Sequence, residues 1–352
     1  MNINFKYFDN QDNFLEYAVT NKKVEYLILV ASSTIITLEN FNNKNIKIFG
    51  AIFSHIIYKN KLYEKGLLLI EINDEFNLDF IENITDYIFD RNKFSESKSI
   101  ITILDGFGKY NEEFLIELFE NISFETNIIG GGAGVLEEKT KKVFFSNKGF
   151  SSNSAILLSF KNKKIKISSK HGWDYLSGPF IVTSCEKNFL KSIDYIDAFE
   201  VYKNVIKNDC NIELTKDNFL EISKNYPIEI VKYAHNNIVR DPISFENGKL
   251  VLVAQIKINS IINILKGNKS NLINSANQVA KEVINKDTSL LMVFNCITRK
   301  NFLEENFEDE LASIYKEISP NNMIGVITIG EIANDGNKYI NILNKTCVIG
   351  GI

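Results

Sequence analysis

Proline and cysteine are scarce in this sequence, and neither is placed where it would organise a fold. Only four prolines occur in 352 residues, and no segment rich in proline, glycine and serine separates one part of the chain from another. Any domain boundary is therefore expected to be packed rather than flexible. The four cysteines, Cys185, Cys210, Cys296 and Cys347, show no C-x-x-C spacing, so neither a disulfide framework nor a structural zinc site is indicated.

The sequence also lacks a concentration of positive charge and a long apolar run. Its 40 basic and 44 acidic residues are interspersed and leave a net charge of -4, which argues against nucleic-acid binding. The longest apolar runs, such as residues 66–70, are far shorter than the roughly 18 residues that cross a membrane. Residues 1–10 lack the positive and then apolar order of a secretory signal. We therefore expect a cytoplasmic protein that does not insert into a membrane.

What the sequence does contain is the material for a sizeable folded core. Hydrophobic residues make up 45% of the chain and charged residues 24%, values typical of globular proteins rather than of disordered ones. A length of 352 residues exceeds the usual size of one hydrophobic core. Two domains, or one elongated body in two parts, are therefore expected.

Strand-like and helix-like segments recur in the same order three times, as a weak internal repeat. In each copy an apolar strand is followed by a helical segment, a second strand, a turn and a return strand. The first strands of the three copies cover residues 25–31, 99–104 and 290–295. Consecutive strands and single helices fill residues 163–284 between the second and third copies. This order predicts an α/β fold with mixed, partly antiparallel sheets and layered helices.

Small residues follow the helix in each copy, most densely at residues 130–134, which read Gly-Gly-Gly-Ala-Gly. A dinucleotide-binding loop needs a helix directly after its last glycine, whereas here a charged turn leads into another strand. Besides a phosphate-binding loop, two interpretations remain. Either the backbone around Gly131 and Gly132 lines a small-ligand site, or the glycines allow tight packing.

Arg240 and Asp241 stand side by side before a proline, between two strand-like segments. The planar guanidinium group of arginine suits a carboxylate ligand, and the alternative is an arginine that holds a loop or pairs with a protein carboxylate. Glu331 follows Gly330 at the end of another strand, where its carboxylate could accept the ammonium group of a ligand or an internal arginine. Arg240 or Arg299 together with Glu331 would then recognise a zwitterion.

Cys296 lies where a strand ends and a helix begins, three residues before Arg299. Such junctions often form pockets in layered α/β proteins, so a cysteine-dependent enzyme that uses Cys296 is one hypothesis. No histidine or acid is adjacent in sequence to act as its base. The alternative is an unreactive, buried thiol.

The three histidines, His55, His171 and His235, are far apart, and none has a partner three or four residues away that would complete a helical metal site. A haem iron needs only one axial imidazole, so each histidine is also a haem-ligand hypothesis. The more ordinary interpretation is a solvated or hydrogen-bonded side chain. The sequence therefore predicts no metal and no obligatory cofactor.

Several short motifs occur in a characteristic order along the chain. The first group comprises His171-Gly172-Trp173, Ser177-Gly178-Pro179, Val182-Thr183, Asp197-Ala198 and Val201-Tyr202. The second group comprises Arg240-Asp241-Pro242, Phe294-x-Cys296-x-x-Arg299, Gly330-Glu331-Ile332 and Asn344-x-Thr346. The first group resembles the junction of FIST N and FIST C domains, the second group resembles FIST C motifs, and residues 130–134 resemble the central FIST N motif. Residues 50–55 depart from the family, which usually has a Gly-Cys-Ser-Thr-like sequence there.

The resemblance implies a FIST N-like domain in residues 1–170, a FIST C-like domain in residues 171–352, and a sensory role without catalysis. The ligand would be an amino acid or a similar small carboxylate. The ligand-binding residues would be Arg240, Asp241, Cys296, Arg299, Gly330, Glu331, Gly131 and Gly132. The FIST pair uses the whole chain, so the signal would pass to a separate histidine kinase, cyclase or chemoreceptor. A haem-binding nitric oxide sensor of the same family is the alternative.

Overall fold

The computed structural model describes residues 4–21, 25–72, 76–233, 237–318, 322–334 and 339–352. They form a mixed α/β structure in which the predicted threefold repeat is confirmed. A separate curled sheet is inserted into the third repeat, between residues 170 and 269.

The helices and strands follow one another in the same order in each repeat, except that repeat 3 has two helices between its parallel strands where repeats 1 and 2 have one. Repeat 1 consists of β1 (Phe5–Phe8), α1 (Gln11–Asn21), β2 (Glu25–Ala31), α2 (Leu38–Asn43), β3 (Lys47–Phe53), β4 (Ile56–Tyr58), β5 (Lys61–Tyr63) and β6 (Leu67–Glu71). Repeat 2 consists of β7 (Phe76–Ile81), α3 (Arg91–Phe94), β8 (Ser99–Asp105), α4 (Asn111–Asn121), β9 (Asn127–Ala133), β10 (Phe144–Ser146), β11 (Gly149–Ser151) and β12 (Ala155–Phe160). Repeat 3 begins with β13 (Lys166–Lys170) and resumes after the insert.

The insert and the remainder of repeat 3 complete the chain. The insert consists of β14 (Asp174–Glu186), β15 (Phe189–Ile193), β16 (Ile196–Asp197), α5 (Ala198–Cys210), α6 (Phe219–Ser223), β17 (Ile228–Ile230), β18 (Ile238–Arg240), β19 (Pro242–Glu246), β20 (Lys249–Leu252) and β21 (Ile261–Lys266). Repeat 3 continues with α7 (Lys269–Val283), β22 (Leu291–Cys296), α8 (Ile297–Leu303), α9 (Phe307–Tyr315), β23 (Met323–Thr328), β24 (Glu331–Ala333), β25 (Asn341–Leu343) and β26 (Cys347–Gly351). Short 3₁₀ helices cover Ile84–Asp86, Leu136–Glu138 and Glu304–Asn306.

The three repeats build three six-stranded sheets with equivalent strand orders. These orders are β1-β6-β2-β3-β10-β11, β7-β12-β8-β9-β24-β25 and β13-β26-β22-β23-β4-β5. In each sheet the central pair is parallel, and every other neighbour is antiparallel. The parallel strands are mostly apolar, as expected for strands that are covered on both faces, and every residue of β8 is buried.

Each sheet takes its last two strands from a different repeat. The β4–β5 hairpin of repeat 1 pairs with β23 of repeat 3, and the β24–β25 hairpin of repeat 3 pairs with β9 of repeat 2. The β10–β11 hairpin of repeat 2 pairs with β3 of repeat 1, which closes the cycle. Strands from both sides of residue 170 therefore share sheets, and a domain division at that residue stays a prediction.

The insert forms a fourth sheet in the order β18-β17-β21-β14-β15-β20-β19, with β16 beside β15. Because β18 and β19 are consecutive in the chain but lie at opposite ends of this order, the sheet curls into a half-barrel. Helix α5 packs against β15 and β20 and buries Phe199, Tyr202 and Ile206. The connection between β18 and β19 is Asp241, so the predicted Arg240-Asp241 motif lies where the two edges meet.

Candidate functional site

Four of the predicted site residues, Arg240, Asp241, Cys296 and Glu331, gather around the turn between β25 and β26, residues 344–346. Asn344 Oδ1 accepts a hydrogen bond from Arg240 Nη1 at 3.3 Å. On the same turn, the backbone nitrogen of Thr346 donates to Glu331 Oε2 at 3.3 Å. Motifs that are distant in sequence therefore meet at one turn, as a shared binding site requires.

Arg240 ends β18 and is buried, with 7% of its surface exposed. Its Nε donates to the carbonyl of Gln255 at 3.1 Å, and its Nη1 also donates to the carbonyls of Val239 and Ile342 at 3.0 and 3.2 Å. Over the described residues, no carboxylate lies within 4.0 Å of the guanidinium group, and Nη2 makes no hydrogen bond. Burial lowers the pKa of Arg240 to about 10, with Glu112 acting in the opposite direction, so the group is charged at neutral pH.

Asp241, the next residue, forms a buried salt bridge in which Oδ2 lies 3.1 Å from Lys345 Nζ. The same Nζ donates to the carbonyl of Lys224 at 3.0 Å and lies 4.7 Å from the ring centre of Trp173. Burial raises the pKa of Asp241, and Lys345 and Thr298 oppose this effect. The contacts of Lys345 join the insert to repeat 3. Because Lys345 pairs with Asp241 inside the protein, the Asp241 carboxylate is already compensated and is not free to pair with a ligand.

Cys296 and Glu331 approach the turn from β22 and β24. Cys296 Sγ accepts a hydrogen bond from the backbone nitrogen of Lys345 at 3.2 Å and lies 3.3 Å from Thr298 Oγ1. Glu331 has no exposed surface, and its Oε1 accepts a hydrogen bond from Thr328 Oγ1 at 2.8 Å. Burial raises the pKa of Glu331 to about 8 and that of Cys296 to about 12. Both shifts favour the protonated forms, so burial weakens Glu331 as a counter-charge for a ligand.

Arg299 pairs with Glu310 of α9 and not with Glu331. Its Nε lies 3.1 and 3.0 Å from the two carboxylate oxygens of Glu310, and its Nη2 lies 2.8 Å from Oε2. The other donors reach the carbonyl of His171, a carbonyl in α7 and the hydroxyl of Ser275. This arrangement holds the segment after β13 against α7. A direct ligand contact would require Arg299 to leave Glu310.

The glycine-rich stretch forms β9 itself, inside the sheet of repeat 2. A Cβ on Gly131 would lie 2.5 Å from Thr328 Cγ2, and one on Gly132 would lie 2.2 Å from the carbonyl oxygen of Ile329. The glycines therefore allow the chain after β23 to pack against β9. Gly330, with φ +81°, makes the tight turn through which the chain passes from β23, in the sheet of repeat 3, to β24, which pairs with β9. These contacts support the packing interpretation, and ligand contacts by Gly131 and Gly132 stay a prediction.

Two of the three histidines are held by hydrogen bonds. His55 Nε2 lies 3.2 Å from Glu64 Oε1, and burial lowers the pKa of this imidazole. His171 Nδ1 accepts a hydrogen bond from the backbone nitrogen of Trp173 at 3.1 Å, and its Nε2 faces a glutamate at 3.4 Å. His235 lies outside the described residues. Haem ligation therefore stays a prediction, and among the described residues no group of three or more His, Cys, Asp or Glu side chains is placed to hold a metal ion.

A surface cavity of about 400 Å³ lies beside the same turn. Leu343 and Thr346, on either side of the Asn344-Lys345 pair, form part of its wall. Its other lining residues are Ser169, Lys170, His171, Gly172, Asn237, Ser275 and Gln278. None of the predicted ligand-binding residues lines it.

Sequence reasoning does not identify Lys345 or Glu310, although both are central to this arrangement. Lys345 stands between the two specified positions of the Asn344-x-Thr346 motif, where no residue type was required. Glu310 is an acid on the buried face of α9, between Phe307 and residues 311 and 314. The sequence does contain one indication of this role for Glu310: it is an acidic residue on the apolar face of a helix, and a buried carboxylate needs a partner.

Two protein-family models match this chain. The FIST N domain matches residues 35–195, and the FIST C domain matches residues 198–334. Together the two matches cover most of the chain, in the order that the motifs indicate. The chain belongs to the FIST family.

FIST domains are generally sensory domains thought to bind small ligands, and the family is not known for enzymes. The FIST C match contains Arg240, Asp241, Cys296, Arg299 and Glu331. It ends before the turn at residues 344–346, which contacts all of these residues except Arg299. A search of curated proteins finds no match. Over the described ranges, no helix of this FIST protein combines the length and the apolar character needed to cross a membrane.

Proposed function

We propose that this FIST protein is a cytosolic sensor that binds an amino acid or a similar small carboxylate and passes the signal to a separate protein. FIST sensory domains usually pair with signalling partners. We infer that a histidine kinase, a cyclase or a chemoreceptor takes that role here.

Arg240 is the residue on which this proposal depends. A buried arginine is expected to be paired with an acid, because an uncompensated charge is costly away from water. Arg240 instead has only uncharged acceptors among the described residues, and its Nη2 is left without a hydrogen bond. A ligand carboxylate would supply the missing charge and accept hydrogen bonds from the guanidinium group.

The position of Arg240 also provides a route for a signal. The arginine belongs to the insert, whereas Asn344, which accepts its hydrogen bond, belongs to repeat 3. A ligand that pairs with Arg240 either weakens or strengthens its hydrogen bond to Asn344. The ligand then binds with different affinity to the arrangement in which the insert and repeat 3 keep this bond and to the arrangement in which they do not. Such a difference in affinity is sufficient to shift a conformational equilibrium.

We propose that the protein binds its ligand without catalysing a reaction. A nucleophilic cysteine requires an accessible thiolate, usually beside a base or a cation that lowers its pKa. Cys296 is 2% exposed, and burial raises the pKa of its thiol to about 12, with Glu331 contributing in the same direction. These properties favour a structural thiol over the enzyme hypothesis.

A thermal-shift screen of amino acids against their C-terminal amides tests the proposal directly. Ligands with a free carboxylate should raise the melting temperature of the wild type, and their amides should not, because only the carboxylate compensates Arg240. The variant Arg240→Gln should lose the response.

The chain offers a matched control, since Arg91 is an exposed arginine on α3. Arg91→Gln should respond like the wild type. Because Arg240→Gln removes internal hydrogen bonds, its folded state should be verified by near-UV circular dichroism. A folded Arg240→Gln that retains wild-type affinity would show that the ligand binds elsewhere.

A further inference from the structure

The three hairpins that complete the sheets are equivalent, but their outer side chains are not equally covered. The central residue pairs of these hairpins are Ile57 with Leu62 in β4–β5, Ile332 with Ile342 in β24–β25, and Phe145 with Phe150 in β10–β11. Leu62 and Ile342 are partly buried and pack against hydrophobic clusters to which helices contribute. Phe150, at the same position, is 38% exposed. One position is therefore closed in two sheets and open in the sheet of repeat 1.

The difference follows from the helices between the parallel strands of each sheet. In repeat 2, α4 has 11 residues and adds Phe114, Leu115 and Leu118 to the cluster that contacts Ile342. In repeat 3, α8 and α9, of 7 and 9 residues, both contribute to the cluster that contacts Leu62. In repeat 1, α2 has only 6 residues, and its buried residue, Phe41, packs against Phe14 of α1 with ring centres 5.8 Å apart. The sheet of repeat 1 thus has less helical cover than the other two.

A surface groove of about 430 Å³ lies at this open position. The repeat 1 groove is defined by Ile35, Ile36, Ile52, Phe150, Lys141 and Lys142, together with residues 32–34. Ile35 is 83% exposed, although it is a large apolar residue. The residues that line the groove include two lysines and no acid, and Glu138 compensates one of these lysines, Lys141, at 2.7 Å. The groove therefore combines apolar walls with a net positive charge.

The loop that carries Ile35 is held in place by hydrogen bonds. The backbone nitrogen of Ser33 donates to the carbonyl of Glu64 at 3.1 Å. Thr34 Oγ1 accepts a hydrogen bond from the backbone nitrogen of Gly66 at 2.7 Å and donates to the carbonyl of the same residue at 3.0 Å. Ile35 follows directly and is presented to solvent by a fixed loop. A groove that is ordered before binding reduces the entropy lost when a partner binds.

We propose that the repeat 1 groove is the docking site for an acidic amphipathic helix of the separate signalling protein. Helices cover the equivalent positions in repeats 2 and 3, so a helix supplied by another protein fits the position that α2 leaves open. The apolar face of such a helix would cover Ile35 and Phe150, and acids beside that face would lie near Lys142. This inference rests on the proposed function only in that a separate protein receives the signal.

A fluorescent peptide with the sequence of residues 110–122 tests the inference, because α4 is an acidic amphipathic helix that covers the equivalent position. A staple between positions 116 and 120, both exposed on α4, would keep the short peptide helical. Fluorescence anisotropy at low salt should show binding to the full chain. The charge-reversed peptide with Glu112→Lys, Glu113→Lys and Glu117→Lys should bind at least roughly fivefold more weakly.

Protein variants locate the binding site on the full chain. Ile35→Asn and Phe150→Ser should each weaken binding of the acidic peptide roughly 5- to 20-fold, because each removes apolar area that the helix would bury. Lys142→Gln should weaken it roughly 2- to 5-fold. The matched controls are Ile88→Asn, since Ile88 is 86% exposed in repeat 2, and Lys216→Gln at an exposed position of the insert. Both controls should bind like the wild type, and thermal denaturation verifies that every variant is folded.

The outcomes separate this inference from its alternatives. If neither peptide binds, if both bind equally well, or if the groove variants bind like Ile88→Asn, the inference is wrong. Sedimentation analysis tests for self-association, and a wild-type dimer that dissociates in Phe150→Ser would show that a second copy of the chain covers the groove instead. The carboxylate response of Arg240 is measured without the peptide, so failure of the docking site leaves the proposed ligand sensing intact.

Discussion

The guanidinium group of Arg299 and the carboxylate of Glu310 form a salt bridge in which Nη2 lies 2.8 Å from Oε2 and neither side chain has exposed surface. The pair is further tied to the carbonyl of His171, so it connects the segment after β13 to the helices of repeat 3. A buried pair of this kind need not add net stability, but losing one member leaves the other charge unpaired away from water.

Replacing Arg299 with methionine should therefore destabilise the protein strongly. The free energy of unfolding is expected to fall by about 3–5 kcal/mol, because Glu310 would remain as a buried, unpaired acid. Urea denaturation measures this change. Lys148→Gln is the control, since Lys148 and Glu82 form an exposed pair, and it should change the free energy by less than about 1 kcal/mol. Equal stability of Arg299→Met and the wild type would contradict the structural role of Arg299.

Glu331 should make the stability of the protein depend on pH. Its pKa is raised by burial from 4.5 to about 8 in the folded protein, so the unfolded chain ionises first as the pH rises. The folded state then binds the extra proton, and stability should fall between pH 4.5 and 8 by at most roughly 5 kcal/mol and level off above that range. Urea denaturation at several pH values should show this loss in the wild type and not in Glu331→Gln. A parallel pH dependence of the two proteins would rule out a protonated Glu331.

Cys296 should resist alkylation in the folded protein. With a pKa of about 12, fewer than roughly one thiol in ten thousand is ionised at pH 7.5, and burial excludes the reagent as well. Mass spectrometry after iodoacetamide treatment should find label on the partly exposed Cys185 and Cys210 before Cys296. In urea, the cysteines should react at similar rates. Rapid, selective labelling of native Cys296 would instead revive the cysteine-enzyme hypothesis.

Gly131→Ala should destabilise the protein through a clash with Thr328 rather than through a lost ligand contact. The added Cβ would lie 2.5 Å from Thr328 Cγ2, and overpacking of this kind costs about 1–3 kcal/mol. Thr328→Ser removes that methyl group and retains the hydroxyl that donates to Glu331. The double variant Gly131→Ala/Thr328→Ser should therefore recover part of the loss in a thermal denaturation cycle. Strictly additive losses would show that the methyl contact is not the cause.

Periodicity in the sequence is sufficient to predict the three repeats, because buried parallel strands such as β2, β8 and β22 read as short apolar runs. The meeting of the Arg240, Cys296 and Glu331 motifs could be expected only from their resemblance to FIST C motifs. The partner of Arg299 could not be predicted, since the choice between Glu310 and Glu331 depends on where α9 packs. The same limit applies to residues 130–134, whose glycines serve a close approach between repeats that no local pattern reveals.

The cyclic exchange of hairpins makes the three repeats an interlocked ring. If β4–β5, β10–β11 or β24–β25 detached, an apolar parallel strand in another repeat would lose its hydrogen-bonded neighbour and become an open sheet edge. No repeat can therefore complete its sheet alone, and loosening one repeat weakens the next around the ring. A disturbance at Glu331, the first residue of β24, would thus be felt at β9 of repeat 2 as well as in its own repeat. Because of this ring, a structural change in one repeat can affect the other two, which would not be the case in two independently folded halves.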